Sequence, residues 1–575
     1  MASPLAKNVR PSKGSENSVS KRPVIAWQQT LVFAALIGCV GALVTIGFRE
    51  TILGVEWMVF GRKDSLVRIA ESLTWWQRLI SPAIGGVIAG LLLYWAQRMT
   101  REQHEGDYME AIALGNGDIH VGHSVLRALS SLATVASGGA IGREGPMVQL
   151  ASLAGSLVGR WWALPVPRRR LYVACGAAAG IATAYNAPIA GALFIAEIVL
   201  HSLAMASLAP LIVAAVAANL VVRELAGYAP VYQMPPILLD HDISIAILGV
   251  VGLIVGAIAP LYLSLLDRVH ALFKRWKGPL WLKLGCGGLM MGAISIVNPG
   301  VWGNGYSVVN SILQGNWLWP ALVAILVWKL LAVSATTGSG AVGGIFTPTL
   351  FVGAVLGALL GLAAQALSPG VVPVPAMVVA GMGAFLAACT HAPLMSILMM
   401  FEMTQSYSLL VPLMAACVAG YSVSQTLRGR SIYAVAPSNA QPAPVLTMAA
   451  DLLHPDPPRI TQGQSLRALE MLFSVRRWQH TYAVDADGRF VGAISLHDFR
   501  LVMDACTDRD APWPATLLRD NYPRVQLETP AWQVLETFVQ HPGERLPVLD
   551  AQGLLQGYIV KSDLIILFRE RTVSA

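Results

Sequence analysis

Residues 137–148 read SGGAIGREGPMV, with an arginine and a glutamate side by side in a long apolar, glycine-rich run. Ionisable groups are expensive in such surroundings, so Glu144 and Arg143 call for a function. The rest of the chain shows how apolar those surroundings are. Of its 575 residues, 55% are hydrophobic and 13% are charged, and the mean hydropathy is +0.57. That charged share is about half of what a soluble domain carries. The uncharged runs 30–48, 79–97, 198–222 and 243–266 are each long enough to cross a bilayer. Between 284 and 427 the only Asp, Glu, Lys or Arg residues are Lys329 and Glu402. The sequence reads as an all-α polytopic membrane protein.

Charge orients it. Residues 1–26 carry Lys7, Arg10, Lys13, Lys21 and Arg22 against Glu16, and the first apolar run follows without a small-residue cleavage site. The run therefore reads as an anchor rather than a signal peptide, and the basic tail places the N-terminus in the cytoplasm. The net charge of +7 is explained by topology, with no nucleic-acid partner implied. The six cysteines (Cys39, Cys175, Cys286, Cys389, Cys417 and Cys506) are scattered without a CxxC pair, so no disulfide or metal framework is expected.

Composition changes near Arg428. Residues 428–575 hold 31 charged side chains, and short β-like runs such as TYAV, RFVGAIS and RLPVLD alternate with helical stretches. The expected organisation is an N-terminal tail at 1–26, a membrane domain at 27–434, a linker at 435–446, and two soluble modules at 447–505 and 514–570.

The membrane region is duplicated, with halves at about 79–225 and 280–427. At an offset of 202 residues, 125–159 and 327–361 share eleven identities, among them Ser137/Ser339, Gly142/Gly344, Pro146/Pro348 and Gly155/Gly357. At an offset of 205, YNAPIAGALFIAEI (185–198) faces THAPLMSILMMFEM (390–403), with Glu197 opposite Glu402. After the first block the chain reads ALPVPRRR (163–170); its counterpart reads QALSPGVV (365–372). Three arginines mark the cytoplasmic side and the uncharged loop fits the outer side, so the halves are inverted.

GREGP and GGIFTP occupy equivalent positions, each a glycine turn with a proline suited to a first helical turn. Each starts a helix inside the membrane, where free N–H groups and the positive dipole end favour an anion. Two inverted starts aim two such ends at one point, as in transporters built from broken helices. Gly155 and Gly159 instead read as close-packing glycines. Arg143 and Glu144 are adjacent in sequence and do not face each other on a helix, so a local ion pair is a poor account of them.

GREGP (142–146), YNAP (185–188), GGIFTP (343–348) and SIYAV (431–435), in this order, resemble the CLC family of chloride channels and proton/chloride antiporters. The resemblance implies the CLC fold and a homodimer with one anion pore per subunit in a bacterial inner membrane. It makes Glu144 the gating carboxylate. It gives the amides of Ile345 and Phe346 and the Tyr433 hydroxyl to a central chloride, and the amides around Arg143 and Gly145 to an outer one. Tyr433 read alone is equally an interfacial anchor.

Two positions depart from the family. HEGDYMEA (104–111) puts Gly106 where the family has a serine, with Asp107 beside it, so the ranking of chloride against nitrate or fluoride does not transfer. The position of the antiporters' proton-delivering glutamate holds Ile198, leaving Glu197 as the candidate for a proton path and its repeat partner Glu402 as an argument for a capping role. The resulting expectation is a channel-like anion path, with a proton-coupled antiporter using another proton route as the alternative.

The tail repeats at an offset of 65: TYAVDADGRFVGAISLHD (481–498) faces LPVLDAQGLLQGYIVKSD (546–563). It resembles a tandem pair of cystathionine-β-synthase (CBS) domains, an α/β module attached to the cytoplasmic side of CLC proteins. The resemblance implies one adenine-nucleotide site using Ser495 and Asp498; the second copy keeps Asp563 but has Val560 in place of the hydroxyl residue. Ser495 and Asp498 read alone are a helix cap. No cofactor is required, and no Walker-type loop appears. An intramembrane enzyme using Glu144 lacks a second catalytic group: there is no HExxH, no GxSxG and no paired aspartates.

Overall fold

The computed structural model describes residues 27–99, 107–227, 230–237, 242–315, 317–368, 370, 372–433, 448–476, 478–506, 508–541 and 543–564. Gly106 lies outside them. The chain divides into two compact units, 1–434 and 435–575.

The membrane unit is helical throughout. Its first part comprises α1 (Trp27–Phe60), α2 (Leu66–Ser72), α3 (Trp75–Met99), α4 (Tyr108–Ala113) and α5 (Val121–Ala136). There follow α6 (Glu144–Trp161), α7 (Val166–Tyr185), α8 (Pro188–Phe194, continued by a π turn over Ile195–Val199) and α9 (Met205–Ala226). The second part runs through α10 (Asp242–Arg275), α11 (Leu280–Val297), α12 (Tyr306–Leu313) and α13 (Trp319–Gly338). It ends with α14 (Phe346–Leu367), α15 (Val374–Thr390), α16 (Pro393–Thr404) and α17 (Leu410–Arg428). Among the described residues eight helices are long and apolar enough to cross a membrane, while α8, α15 and α16 are shorter apolar pieces. Exposed Trp75, Trp76, Trp161, Trp162 and Trp319 sit at helix ends, the positions an interfacial aromatic belt occupies.

The duplication appears as matching elements: α3 with α11, α5 with α13, α6 with α14, α7 with α15 and α8 with α16. Both α7 and α15 stop on a left-handed residue, Asn186 (φ 54°) and His391 (φ 57°), before an Ala-Pro step restarts the chain as α8 and α16. Proline sets the restart because it needs no N–H in a first turn. Each half is packed through close backbone contacts of its own: a Cβ on Gly155 would meet the Tyr172 carbonyl of α7 at 2.0 Å, and one on Gly357 would meet the Met377 carbonyl of α15 at 2.3 Å.

One expected span is corrected. The uncharged run 198–222 is not a single helix: the chain breaks at 200–204, where His201 takes a positive φ (49°). The His201 ring bonds the Glu197 carbonyl at 2.9 Å and the Ser202 N–H bonds the Ala196 carbonyl at 2.9 Å. These contacts satisfy the last carbonyls of the π turn and end it.

The tail unit holds two sheets built to one plan. In the first, β1 (Arg459–Thr461) pairs parallel to β2 (His480–Val484), which pairs antiparallel to β3 (Phe490–Ser495) and through it to β4 (Leu518–Arg519). In the second, β5 (Val525–Gln526) pairs parallel to β6 (Arg545–Leu549), which pairs antiparallel to β7 (Leu555–Val560). Helices α18 (Leu466–Arg476), α19 (Leu496–Ala505) and α20 (Ala531–Gln540) pack on them. Ile460, Leu469, Phe473 and Ile494 fill one core, and Val525, Val534, Phe538 and Ile559 fill the other.

Candidate anion site

The two glycine turns meet. Gly142 and Gly344, equivalent residues of the two repeats, form an isolated antiparallel bridge with both N–H···O distances at 2.8 Å. An antiparallel bridge between a residue and its own repeat mate places a local two-fold axis between the turns, which is the signature of inverted halves. From this bridge α6 begins at Glu144 and α14 begins at Phe346. Arg143 and Ile345 are the matching N-cap residues, and neither cap is closed by a side-chain hydrogen bond. Their first-turn N–H groups have no partner within the helix, and the two positive helix ends lie side by side.

Glu144 is 5% exposed and lies across this junction. Its Oε1 accepts a hydrogen bond from the Thr347 hydroxyl at 2.5 Å and another from the Tyr306 hydroxyl at 3.4 Å. Both donors belong to the second repeat. Its Oε2 makes no hydrogen bond and packs against the glycine bridge: a Cβ on Gly142 would stand 1.9 Å from it, and one on Gly344 would stand 2.8 Å away. The glycines thus leave the space the carboxylate fills. In this structure the Glu144 side chain occupies the place where two helix ends converge.

An aromatic lining adjoins the carboxylate. The Phe346 ring contacts Tyr185 (centroids 4.7 Å) and Phe194 (6.3 Å), and Phe194 meets Tyr433 edge-on at 5.4 Å. Tyr433 is held where the Ile432 N–H bonds the Cys389 carbonyl at 2.8 Å, and it lies within electrostatic reach of Glu144. The structure therefore brings Glu144, Arg143, Gly145, Ile345, Phe346 and Tyr433 to one junction.

Several contributors were invisible in the sequence. Tyr306 is presented by a loop that fully buried Lys329 clamps, its Nζ donating to the Val301 and Gly303 carbonyls at 2.8 Å each. Glu56, buried on α1, lies within electrostatic reach of Arg143. Gln149 of α6 accepts the Tyr108 N–H at 2.8 Å and so fixes the start of α4, the helix after the HEGD stretch. The other end of α4 is capped by Arg170, which donates to the Ile112 and Ala113 carbonyls, while Arg169 pairs with Asp118 at 2.8 Å. Two of the arginines used to orient the chain are also structural ties.

Glu197 does not join the junction. Its carboxylate accepts the Leu394 and Met395 N–H groups at 3.3 and 2.7 Å, capping α16. Glu402 returns the exchange, accepting Ile189 and Ala190 N–H groups of α8 at 3.0 and 2.8 Å. Each repeat thus caps a broken helix of the other. Ile198, one residue on, is buried.

The sequence pattern of the voltage gated chloride channel family matches residues 85–425. The chain belongs to this family. A CBS domain pattern matches residues 515–570. A ClcB-like chloride channel protein of Ralstonia nicotianae is 51% identical over 409 residues, covering 70% of this chain and 95% of that protein. The voltage-gated ClC-type chloride channel ClcB of Salmonella typhimurium is 45% identical, covering 70% and 97%. Among solved structures, a slow cyanobacterial Cl−/H+ antiporter aligns with a TM-score of 0.63 at 24% identity, covering 70% of this chain and 96% of that one. A eukaryotic CLC transporter aligns with a TM-score of 0.59 at 17% identity over 93% and 97%. The protein is thus a multi-span membrane member of the CLC family carrying a CBS-type tail.

In that tail the expected nucleotide residues are already engaged. Ser495 caps α19, accepting the His497 N–H at 3.2 Å. Asp498 pairs with Arg519 at 2.7 Å, and Asp563 pairs with His454 at 2.5 Å. Among the described residues no cluster of His, Cys, Asp and Glu suited to a metal was found.

Proposed function

We propose that this chain carries chloride across the bacterial inner membrane through a CLC-type pore gated by Glu144, and that conduction is channel-like. The observation that carries this reading is the Glu144 carboxylate lying between two paired helix starts, held by the Thr347 and Tyr306 hydroxyls. A carboxylate in an anion site is a competitor. When it is protonated or displaced, the same N–H groups become available to chloride, and the Tyr433 hydroxyl closes the inner side. The amides of Ile345 and Phe346 serve the central anion, and those around Arg143 and Gly145 the outer one; Gly106 belongs to the same path. The protein acts as a homodimer with one pore in each subunit, its N-terminus and tail in the cytoplasm.

Channel-like conduction is supported by two features. Ile198 offers no titrating group, and both Glu197 oxygens are committed to backbone donors of α16. The relatives at 44–45% identity bear chloride-channel names. For the tail, an adenine nucleotide reaching Asp498 or Asp563 would first displace Arg519 or His454, so a structural role is the simpler assignment. The test is a proton assay in liposomes with a steep chloride gradient and no proton gradient. No proton movement beyond that of empty liposomes is expected; protons driven uphill by chloride would establish coupled antiport instead.

A further inference from the structure

Tyr185 ends α7, directly before the left-handed Asn186 that the Asn219 side chain holds at 2.8 Å. Its backbone is therefore fixed, and its ring is pinned against Phe346, the first residue of α14. The side chain is 2% exposed, yet its hydroxyl has no hydrogen-bond partner. A role in packing alone would be met by phenylalanine, which avoids burying an idle O–H. The hydroxyl lies within electrostatic reach of Glu144, Tyr306 and Tyr433, with the Thr347 hydroxyl beside it.

Other buried tyrosine hydroxyls also lack partners, but their surroundings differ. Tyr172 neighbours Thr30, Cys175 and Arg168, and Tyr262 neighbours Cys389 and Thr349. Tyr232 meets Tyr306 at a tilted angle and lies within electrostatic reach of Glu144. Tyr185 alone of these is within electrostatic reach of both Glu144 and Tyr433. That places a free donor on the stretch of path between the gate and the inner tyrosine.

We propose that the Tyr185 hydroxyl is an anion ligand of the central site, donating its proton to the chloride that arrives when the Glu144 carboxylate leaves. This rests on the reading of Glu144 as the gate. In the state described here, Thr347 and Tyr306 hold the carboxylate and the Tyr185 donor is idle. With chloride bound, Tyr185 and Tyr433 contribute O–H groups from opposite sides of a pocket otherwise walled by Phe194 and Phe346. A donor of this kind also sets selectivity. A small, strongly hydrated halide gives up water and needs hydrogen bonds in return, whereas thiocyanate, large and weakly hydrated, needs them less.

Tyr185→Phe removes only the hydroxyl. Full-length wild type and variant are titrated with chloride and with thiocyanate by isothermal calorimetry, and thermal melting is recorded without either anion. The dissociation constant for chloride is expected to rise about tenfold or more, the scale of one hydrogen bond to a charged group. Thiocyanate binding changes much less, and melting stays equal or rises. An unchanged chloride constant overturns the proposal, as does an equal loss for both anions accompanied by lower melting, which would mark a packing role. Glu144→Gln is titrated in parallel. If it leaves chloride affinity and flux as in wild type, the gate reading fails, whatever Tyr185→Phe does.

Discussion

The reciprocal caps give the sharpest quantitative expectation. Glu197→Ala removes a carboxylate that accepts two N–H groups of α16, and Glu402→Ala does the same to α8. An N-cap is worth about 1 kcal/mol, and a hydrogen bond to a charged group about 1.5–3 kcal/mol. Leu394 and Ile189 are 46% and 48% exposed, but in a bilayer the freed N–H groups find no water to replace the lost acceptor. Each alanine variant should therefore lose roughly 2–4 kcal/mol, and each glutamine variant, which keeps an acceptor without the charge, about 1 kcal/mol. Both caps fasten the same α8–α16 pair, so the double variant should cost less than the sum of the singles. The assay is thermal melting of detergent-solubilised protein followed by tryptophan fluorescence, beside chloride efflux per folded molecule. Similar losses of melting temperature for the two positions, with efflux retained, are expected. If Glu197→Gln abolished proton movement at unchanged melting while Glu402→Gln did nothing, Glu197 would be a proton carrier and the capping account would be wrong.

Thr347→Val deletes the shorter of the two hydrogen bonds to Glu144 at a cost to the seated carboxylate of about 1.5–3 kcal/mol, so chloride efflux should rise; a fall or no change in liposome flux would contradict this. Gly142→Ala puts a methyl 1.9 Å from the carboxylate oxygen and Gly344→Ala one 2.8 Å away, so the first should disturb expression or gating more than the second, as measured by monodispersity and flux. In the tail, burial first, then Arg519 and His541, hold His480 below the ordinary imidazole range, with Asp498 opposing. The unfolded chain then takes up a proton before the folded one does. Stability from this group is fully present above the unfolded value of about pH 6.5 and is lost as pH falls below it through the lower folded value. Melting of a fragment beginning in the linker should drop on acidification, and His480→Gln should flatten the drop.

Much of this was legible because glycine and proline punctuate the chain where helices restart. GREGP and GGIFTP start α6 and α14 at equivalent residues, and YNAP and THAP start α8 and α16. Composition could not show that the run 198–222 is cut, because the cut depends on a left-handed His201 and two carbonyl contacts. Nor could it pick out the partners of Glu144. Thr347 stands opposite Gly145 in the repeat and looks like an ordinary first-turn threonine, while Tyr306 is brought in by a loop whose anchor, Lys329, is a lone cation opposite Arg127. The asymmetry between the copies was the available signal: where one repeat carries a carboxylate, the other supplies the hydroxyl that holds it. Tyr185 is the first letter of the YNAP motif, and its unpartnered hydroxyl together with its closeness to Glu144 and Tyr433 distinguishes it from a packing ring.

The central claim is that the Glu144 carboxylate competes with chloride for the paired helix starts. Chloride efflux from liposomes containing wild type or Glu144→Ala, measured over a range of pH, tests it directly. Wild-type flux should rise as pH falls and protonation neutralises the carboxylate, while the variant should be faster at neutral pH and insensitive to pH. Identical rates with identical pH dependence would show that Glu144 does not gate the path.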